Sequence, residues 1–318
     1  MQYRTLGKTG LKVSVVGVGT WQFGGEWGRT YTQAEADALF EAARECGLNL
    51  IDTAECYGDH ESERLIGGAI ERDRDKWVLA TKFGHKFHKP FERTEPRSPA
   101  DVVTQLEDSL RALRTDYLDL WQYHSWGDDQ FFDDDVLAAV AKAKDAGKVR
   151  HVGNSVGPND KPKQVDASAE RGVETIQIIY NRLQREPETA CFDSCIRQNL
   201  GVLARVPLAS GYLSGKYKPG HVFDKDEVRG KWHGQAKSDA MLAEVQTIRA
   251  EEVPHGVPMP AWALAWCLQH DAVTCVIPGC KSAEQVRSNA EAAGDARLAD
   301  WVRADHPQAC AVPSVLPG

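Results

Sequence analysis

Asp52, Tyr57, Lys82 and His124 each stand at or just past the end of an apolar run. Residues 48–52 read LNLID and lead into TAECYG, residues 78–82 read VLATK, and residues 118–124 read LDLWQYH. A carboxylate, a phenol, an amine and an imidazole can together deliver a proton to a carbonyl oxygen. A free tyrosine, with a pKa of about 10, is a poor donor at neutral pH. A neighbouring ammonium lowers that value, and a carboxylate holds the ammonium in place. The imidazole can orient the carbonyl or share the proton. Such a set suits reduction of C=O, one side chain protonating the oxygen while a cofactor supplies hydride.

These four groups meet only if their strands lie side by side. Strand-like and helix-like segments alternate along the whole chain. A hairpin, Tyr3–Leu6 and Leu11–Val13, comes first. Barrel strands are then expected at Val15–Gly19, Leu48–Asp52, Val78–Thr81, Leu118–Gln122, Val149–Gly153, Thr175–Ile179, Gly201–Val206 and Val273–Ile277. Thr32-x-x-Glu35 is a capping box opening a helix that stops at Gly47, and Ser98-Pro99-Ala100-Asp101 opens another. Further helices are expected near Ser62–Ile70, Val136–Ala146, Val165–Arg171, Ala190–Asn199, Asp239–Glu252, Pro260–Gln269, Ala283–Ala292 and Leu298–Ala304. Eight strands alternating with helices predict an α/β fold, a (β/α)8 TIM barrel with an N-terminal β-hairpin. Its C-terminal face gathers strand ends, and active sites of that fold are built there. Residues 1–308 read as one domain. Residues 309–318, rich in Pro and small residues, read as a fraying tail.

The 318 residues are 42% hydrophobic and 26% charged, as in an ordinary soluble globule, and carry a net charge of −8, which argues against nucleic-acid binding. No apolar run approaches a membrane span, and residues 1–10 lack the apolar core of a signal peptide, so the cytoplasm is the expected location. The eight cysteines, at 46, 56, 191, 195, 267, 275, 280 and 310, form no C-x-x-C pair. They read as reduced thiols, with no metal site expected.

Further segments carry a family resemblance: GVGTW (17–21), GKVRHVGNS (147–155), IQIIYN (176–181), VPLASGYLSGKY (206–217) and VIPGCKSAEQVRSN (276–289). With IDTAECYG, the TK of 81–82 and the histidine after DLWQ, they resemble the aldo-keto reductases, in that family's order and over nearly the whole chain. The resemblance is to bacterial-type, NADP-dependent members, related to the potassium-channel β subunits. It implies an NADP(H)-dependent reductase of an aldehyde or ketone, without metal, with Tyr57 as acid, Lys82 lowering its pKa, Asp52 anchoring Lys82 and His124 orienting the substrate oxygen. It implies that Gly19, Thr20, Trp21 and Asp52 border the cofactor, and that Ser155 and Gln177 hold the nicotinamide carboxamide. Arg205 would stack on that ring, where many members carry an aromatic residue. Val206, Pro207, Leu208, Ser210, Gly211 and Lys216 would wrap the pyrophosphate, and Gly279, Lys281, Ser282, Gln285 and Asn289 would hold the adenosine end, with Arg229 and Arg287 as further phosphate candidates. Trp21, Tyr57, His124 and Trp126 would line the substrate pocket, with Trp27, Phe87 and Phe131 adding aromatic walls. Val156 and Ser288 depart from the usual Asn and Glu. The substrate, the oligomeric state and strict NADPH use stay open.

Two other readings compete. A module of the same fold can bind NADPH and serve a partner with little turnover, as the channel β subunits do. Gly153-Asn154-Ser155-Val156-Gly157 also matches the G-x-S-x-G of a hydrolase elbow, although an elbow needs a helix at once and here Pro158–Pro162 intervenes.

Overall fold

The computed structural model describes residues 1–294 except 97, 158–160 and 226, with residues 292–294 described by backbone alone. The helix expected at Leu298–Ala304, the tail 309–318 and Cys310 lie outside the described residues.

The chain opens with an antiparallel pair, β1 (Tyr3–Thr5) and β2 (Lys12–Ser14). Eight parallel strands follow among the described residues: β3 (Val18–Gly19), β4 (Leu50–Asp52), β5 (Val78–Phe83), β8 (Leu118–His124), β9 (Val149–Ser155), β10 (Thr175–Ile179), β11 (Gly201–Arg205) and β12 (Val273–Ile277). They are hydrogen-bonded in that order. The seam between first and last is closed by parallel bridges Val16↔Val276 and Gly19↔Gly279, with Gly17 N–H donating to Val276 O at 2.8 Å and Val276 N–H to Val15 O at 2.9 Å. The fold is therefore a barrel, as the alternating pattern predicts.

Side chains alternate between the two faces of a strand, and this sets the site. Leu50, Val78, Ala80, Leu120, Leu203, Cys275 and Ile277 fill the barrel interior, and Leu6 and Val13 of the hairpin pack against them. Two residues further along the same inward face come Asp52 after Leu50, Lys82 after Ala80, Gln122 and then His124 after Leu120, and Arg205 after Leu203. Apolar layers thus give way to a polar layer at the C-terminal mouth. Gly153 makes room in that layer: a Cβ there would lie 2.4 Å from Thr175 Oγ1 and 2.9 Å from the Gln122 side chain.

Helices cover the outside through their apolar faces. Both capping boxes form, at Thr32/Glu35 for Gln33–Glu45 and at Ser98/Asp101 for Pro99–Ala112, each cap contributing about 1 kcal/mol. Gly47, at φ 74°, ends the first of these helices as expected. The helices expected near Val165–Arg171 and Ala190–Asn199 are shorter, at Pro162–Asp166 and at Pro187–Ala190 with Phe192–Arg197. The helix expected from Asp239 starts four residues earlier, at Gln235.

Two loops hold structure that their polar sequences hide. Residues 83–97 read as a plain loop but contain an antiparallel hairpin, β6 (Lys86–Lys89) and β7 (Glu92–Thr94). The polar stretch 214–235 contains a short helix, Val228–Trp232.

Candidate active site

Lys82 is 1% exposed. Its ammonium donates to Asp52 Oδ2 at 2.8 Å, to the Thr53 carbonyl at 2.7 Å and to Tyr57 Oη at 3.3 Å. All three donor positions of the ammonium are engaged, which fixes its place in a region where an unpaired charge would be very costly. Asp52 and Lys82 reach this point as strand-end residues of neighbouring β4 and β5.

Tyr57 comes from the reversal that follows β4. Gly58, Asp59 and His60 all have left-handed φ, at 70°, 52° and 64°, and this run folds the chain back over the barrel mouth before the helix Glu61–Ile70. Gly24 packs directly on the tyrosine backbone, where a Cβ would come within 2.8 Å of its carbonyl carbon. The tyrosine is thus held at its backbone by Gly24 and at its phenol by the ammonium.

Burial dominates its acidity. Desolvation pushes Tyr57 up to about 12, the Lys82 charge opposes this, and the Asp52 charge adds to it. Lys82 does favour the phenolate, as the sequence suggests, but burial outweighs it and the net shift is upward. Burial also works against the Lys82 charge, yet the charges of Asp52 and Tyr57 prevail and raise its pKa. The pair is therefore phenol and ammonium at neutral pH. A phenol is still a far stronger acid than the alcohol formed when an alkoxide takes its proton.

His124 ends β8, its ring 6.1 Å from the Tyr57 ring, centre to centre. Burial, then the charges of His85, Lys82, Arg93 and Arg205, hold its pKa well below the usual value, so the imidazole is neutral. His85, between β5 and β6, packs edge-on against it at 4.6 Å. Glu55 lies on the other side, fully buried, and burial pushes its carboxyl up to about 8.

A buried amide network completes the floor. Gln177 Nε2 donates to Asp52 Oδ1 at 2.6 Å and to Gln122 Oε1 at 3.3 Å, while Ser155 Oγ donates to Gln177 Oε1 at 3.2 Å. An amide oxygen cannot take the proton that a nucleophilic serine must lose, so this geometry does not activate Ser155. The next helix begins only at Pro162, and 158–160 lie outside the described residues. Gln122 was not singled out in the sequence, although a glutamine within the apolar run LDLWQY on an inward position is a readable signal.

The mouth is walled by tryptophans. Trp21 stacks on Tyr57 at 6.2 Å and on Trp232 at 5.4 Å, and meets Trp27 edge-on at 5.4 Å. Trp21 Nε1 donates to Glu26, which also receives the Phe91 N–H at 2.9 Å and Arg93 at 2.6 Å. The hairpin β6–β7 thus holds the carboxylate that holds Trp21. Trp126 and Phe131 do not join this wall. The backbone turns at Ser125 (φ 59°) and carries Trp126 into the core, 1% exposed, against Phe83 and Tyr123, with its Nε1 donating to Gly84 O at 3.0 Å. Phe131 is fully buried against Tyr123 and Phe132.

Residues suited to a large anionic cofactor lie beside this mouth. Val206, Ala209, Ser210 and Gly211 all have left-handed φ, at 56°, 47°, 54° and 92°. Such a run is rare for non-glycine residues and is found at ligand-binding turns. Asn181 Nδ2 holds the Val206 carbonyl at 3.0 Å. Arg205 donates to Val156 O at 2.9 Å, and burial lowers its pKa against the opposing pull of nearby Tyr57 and Asp52. Thr20 Oγ1 donates to Asp52 O at 2.8 Å, and Gly279 has no room for a Cβ beside Gln22. Burial lowers the pKa of Lys281, and Arg229, Lys216 and Arg29 lower it further against the opposing Glu227. A half-buried cationic cluster of this kind suits a phosphate. Ser282 Oγ and Gln285 order the helix start, accepting from Gln285 N at 3.3 Å and Lys281 N at 2.9 Å, and Asn289 donates to Cys280 Sγ. Arg287 is absent from the cluster, paired on the outside with Glu45 at 2.7 Å. The fit to a phosphate-bearing dinucleotide is good.

The seven described cysteines are free thiols. No helix among the described residues is long and apolar enough to cross a membrane.

Comparison with known proteins agrees with this fold. The sequence profile of the Aldo/keto reductase family matches residues 15–302. The aldo-keto reductase YhdN of Bacillus subtilis is 30% identical over 301 residues, covering 92% of this chain and 89% of its own. The NADH-specific methylglyoxal reductase of Escherichia coli is 29% identical over 305 residues, covering 90% and 92%. The holo form of aldo-keto reductase AKR11C1 from Bacillus halodurans superposes with a TM-score of 0.80 at 27% identity, covering 100% of this chain and 98% of that one.

Proposed function

The chain belongs to the aldo/keto reductase family, and we propose that it is an NADP(H)-dependent enzyme that reduces a small aldehyde or ketone to the alcohol. The observation that carries this reading is the Lys82 ammonium, which touches Asp52 and Tyr57 at one buried point. A pure binding module has no need of that arrangement.

The nicotinamide, when bound, supplies the hydride. Tyr57 gives its proton to the carbonyl oxygen, and Lys82 stabilises the phenolate left behind. Asp52 keeps Lys82 charged and in place. The neutral His124 orients the carbonyl oxygen by hydrogen bonding. Ser155 and Gln177 orient the carboxamide, Arg205 borders the ring, and the turn 206–211 with Lys216 takes the pyrophosphate. Lys281, assisted by Arg229, takes the 2′-phosphate. The Trp21, Trp27 and Trp232 rings exclude water and bind the body of the substrate. We take residues 1–308 as one catalytic unit working in the cytoplasm, in keeping with its free thiols.

The test is cofactor oxidation against a panel of carbonyls that includes methylglyoxal, the substrate named for the E. coli relative, with NADPH and NADH side by side. Turnover with NADPH at least tenfold more efficient than with NADH is expected. Tight NADPH binding without turnover of any carbonyl would favour the binding module, and faster turnover with NADH would remove the NADP assignment.

A further inference from the structure

Behind Tyr57, the ligand-capable atoms of Glu55, Cys56 and His124 lie within 4.8 Å of one another. His124 Nδ1 is 3.7 Å from Glu55 Oε2 and 3.7 Å from Cys56 Sγ. Glu55 Oε1 accepts from the His85 N–H at 2.8 Å, which aims the carboxyl. Its Oε2 is buried without a hydrogen-bond partner. A buried carboxyl oxygen left without a partner demands a reason.

A carboxylate oxygen, a thiolate sulfur and an imidazole nitrogen are the donors that zinc takes in sites with three protein ligands and one open position. Bonds of about 2.0–2.3 Å in a tetrahedral arrangement put such donors roughly 3.3–3.6 Å apart. The two His124 separations are within a few tenths of an ångström of that spacing. The neighbouring cations do not make the place hostile. Lys82 is paired with Asp52 at 2.8 Å and Arg93 with Glu26 at 2.6 Å, leaving Arg205. A dication that displaces one proton from Glu55 and one from Cys56 leaves the net charge unchanged. The partly exposed His124 side chain offers the access route from the cleft.

We propose that Glu55 Oε2, Cys56 Sγ and His124 Nδ1 bind a borderline-soft divalent cation of the zinc type. The cation is an inhibitor: it pins the His124 ring where it stands, so that the ring cannot turn to follow the carbonyl oxygen. Inhibition rests on the reductase reading above, whereas metal binding does not.

The experiment titrates the intact protein with Co²⁺ and Zn²⁺ in the absence of added thiol. Wild type is expected to develop a thiolate-to-cobalt charge-transfer band that Zn²⁺ abolishes. Zinc should stop carbonyl reduction, with full recovery on adding a chelator. Cys56→Ser should lose the band, keep near-normal activity without metal, and need at least about 10- to 100-fold more zinc for inhibition, the loss that even an outer partner of a ligand can cause. Glu55→Gln, which removes a second donor at the same size, should weaken zinc and cobalt binding by a similar factor and serves if the serine variant does not fold. The proposal is overturned if wild type gives no band, if the band survives in Cys56→Ser, or if the variants bind zinc like wild type. A band that depends on Cys56 in a protein without carbonyl turnover would uphold the metal site and remove the reductase reading.

Discussion

Gln177 Nε2 lies 2.6 Å from Asp52 Oδ1, on the same carboxylate whose other oxygen receives Lys82 Nζ at 2.8 Å. One buried carboxylate therefore ties the amide network at the barrel mouth to the ammonium beneath the phenol. Gln177→Leu would leave Oδ1 with only the 3.3 Å contact from Gln122. The variant is expected to lose about 1–3 kcal/mol of folding stability, read by denaturant unfolding. Unchanged stability would mean that the Asp52–Lys82 pair does not depend on the amides.

Tyr57→Phe should lower kcat by at least about two orders of magnitude, the usual scale for a positioned general acid, while NADPH binding changes little. The donor must be protonated, and a group pushed up to about 12 stays so across the neutral and mildly alkaline range. In the cofactor-free protein, the tyrosinate absorbance of wild type minus Tyr57→Phe should therefore rise only near pH 12. A difference component titrating at or below pH 10 would show that Lys82 outweighs burial.

Lys281→Ala should weaken NADPH by roughly 1.5–3 kcal/mol, the range for a hydrogen bond to a charged group, and NADH far less. Rising salt should narrow the wild-type preference, because the half-buried site opens to solvent. Fluorescence titration of both cofactors checks this. Equal losses for the two would detach Lys281 from the 2′-phosphate.

Trp232 is 54% exposed yet stacks on Trp21. Trp232→Ala should raise KM for aromatic aldehydes by about 2- to 10-fold, corresponding to the roughly 0.5–1.5 kcal/mol of an aromatic pair, with kcat nearly unchanged. A steady-state comparison of an aromatic and a small aliphatic aldehyde separates this from a general loss of folding.

The barrel and its polar mouth were legible because one signal serves both. An apolar strand that ends in an ionisable residue announces its inward face and its mouth end together, as with Leu50–Asp52 and Ala80–Lys82. Capping residues fixed the helix starts at Thr32 and Ser98 because those rules are local. The hairpin β6–β7 was not legible, since HKFHKPFERT alternates charges without an apolar face, and its partner Glu26 is more than sixty residues away. Trp126 was misplaced because a single left-handed φ at Ser125 decides which way the next side chain turns. Glu55 passed unnoticed because nothing local marks a carboxyl whose burial comes from the far side of the mouth.

The N-terminal hairpin has a consequence for traffic. Leu6 and Val13 pack against the lowest layer of the barrel interior, so the hairpin closes that end and leaves the mouth at the other. On the proposed function, carbonyl and alcohol use that mouth in turn, past the same tryptophans. A product that lingers there obstructs the next arrival, and the alcohol should compete directly with the carbonyl it came from.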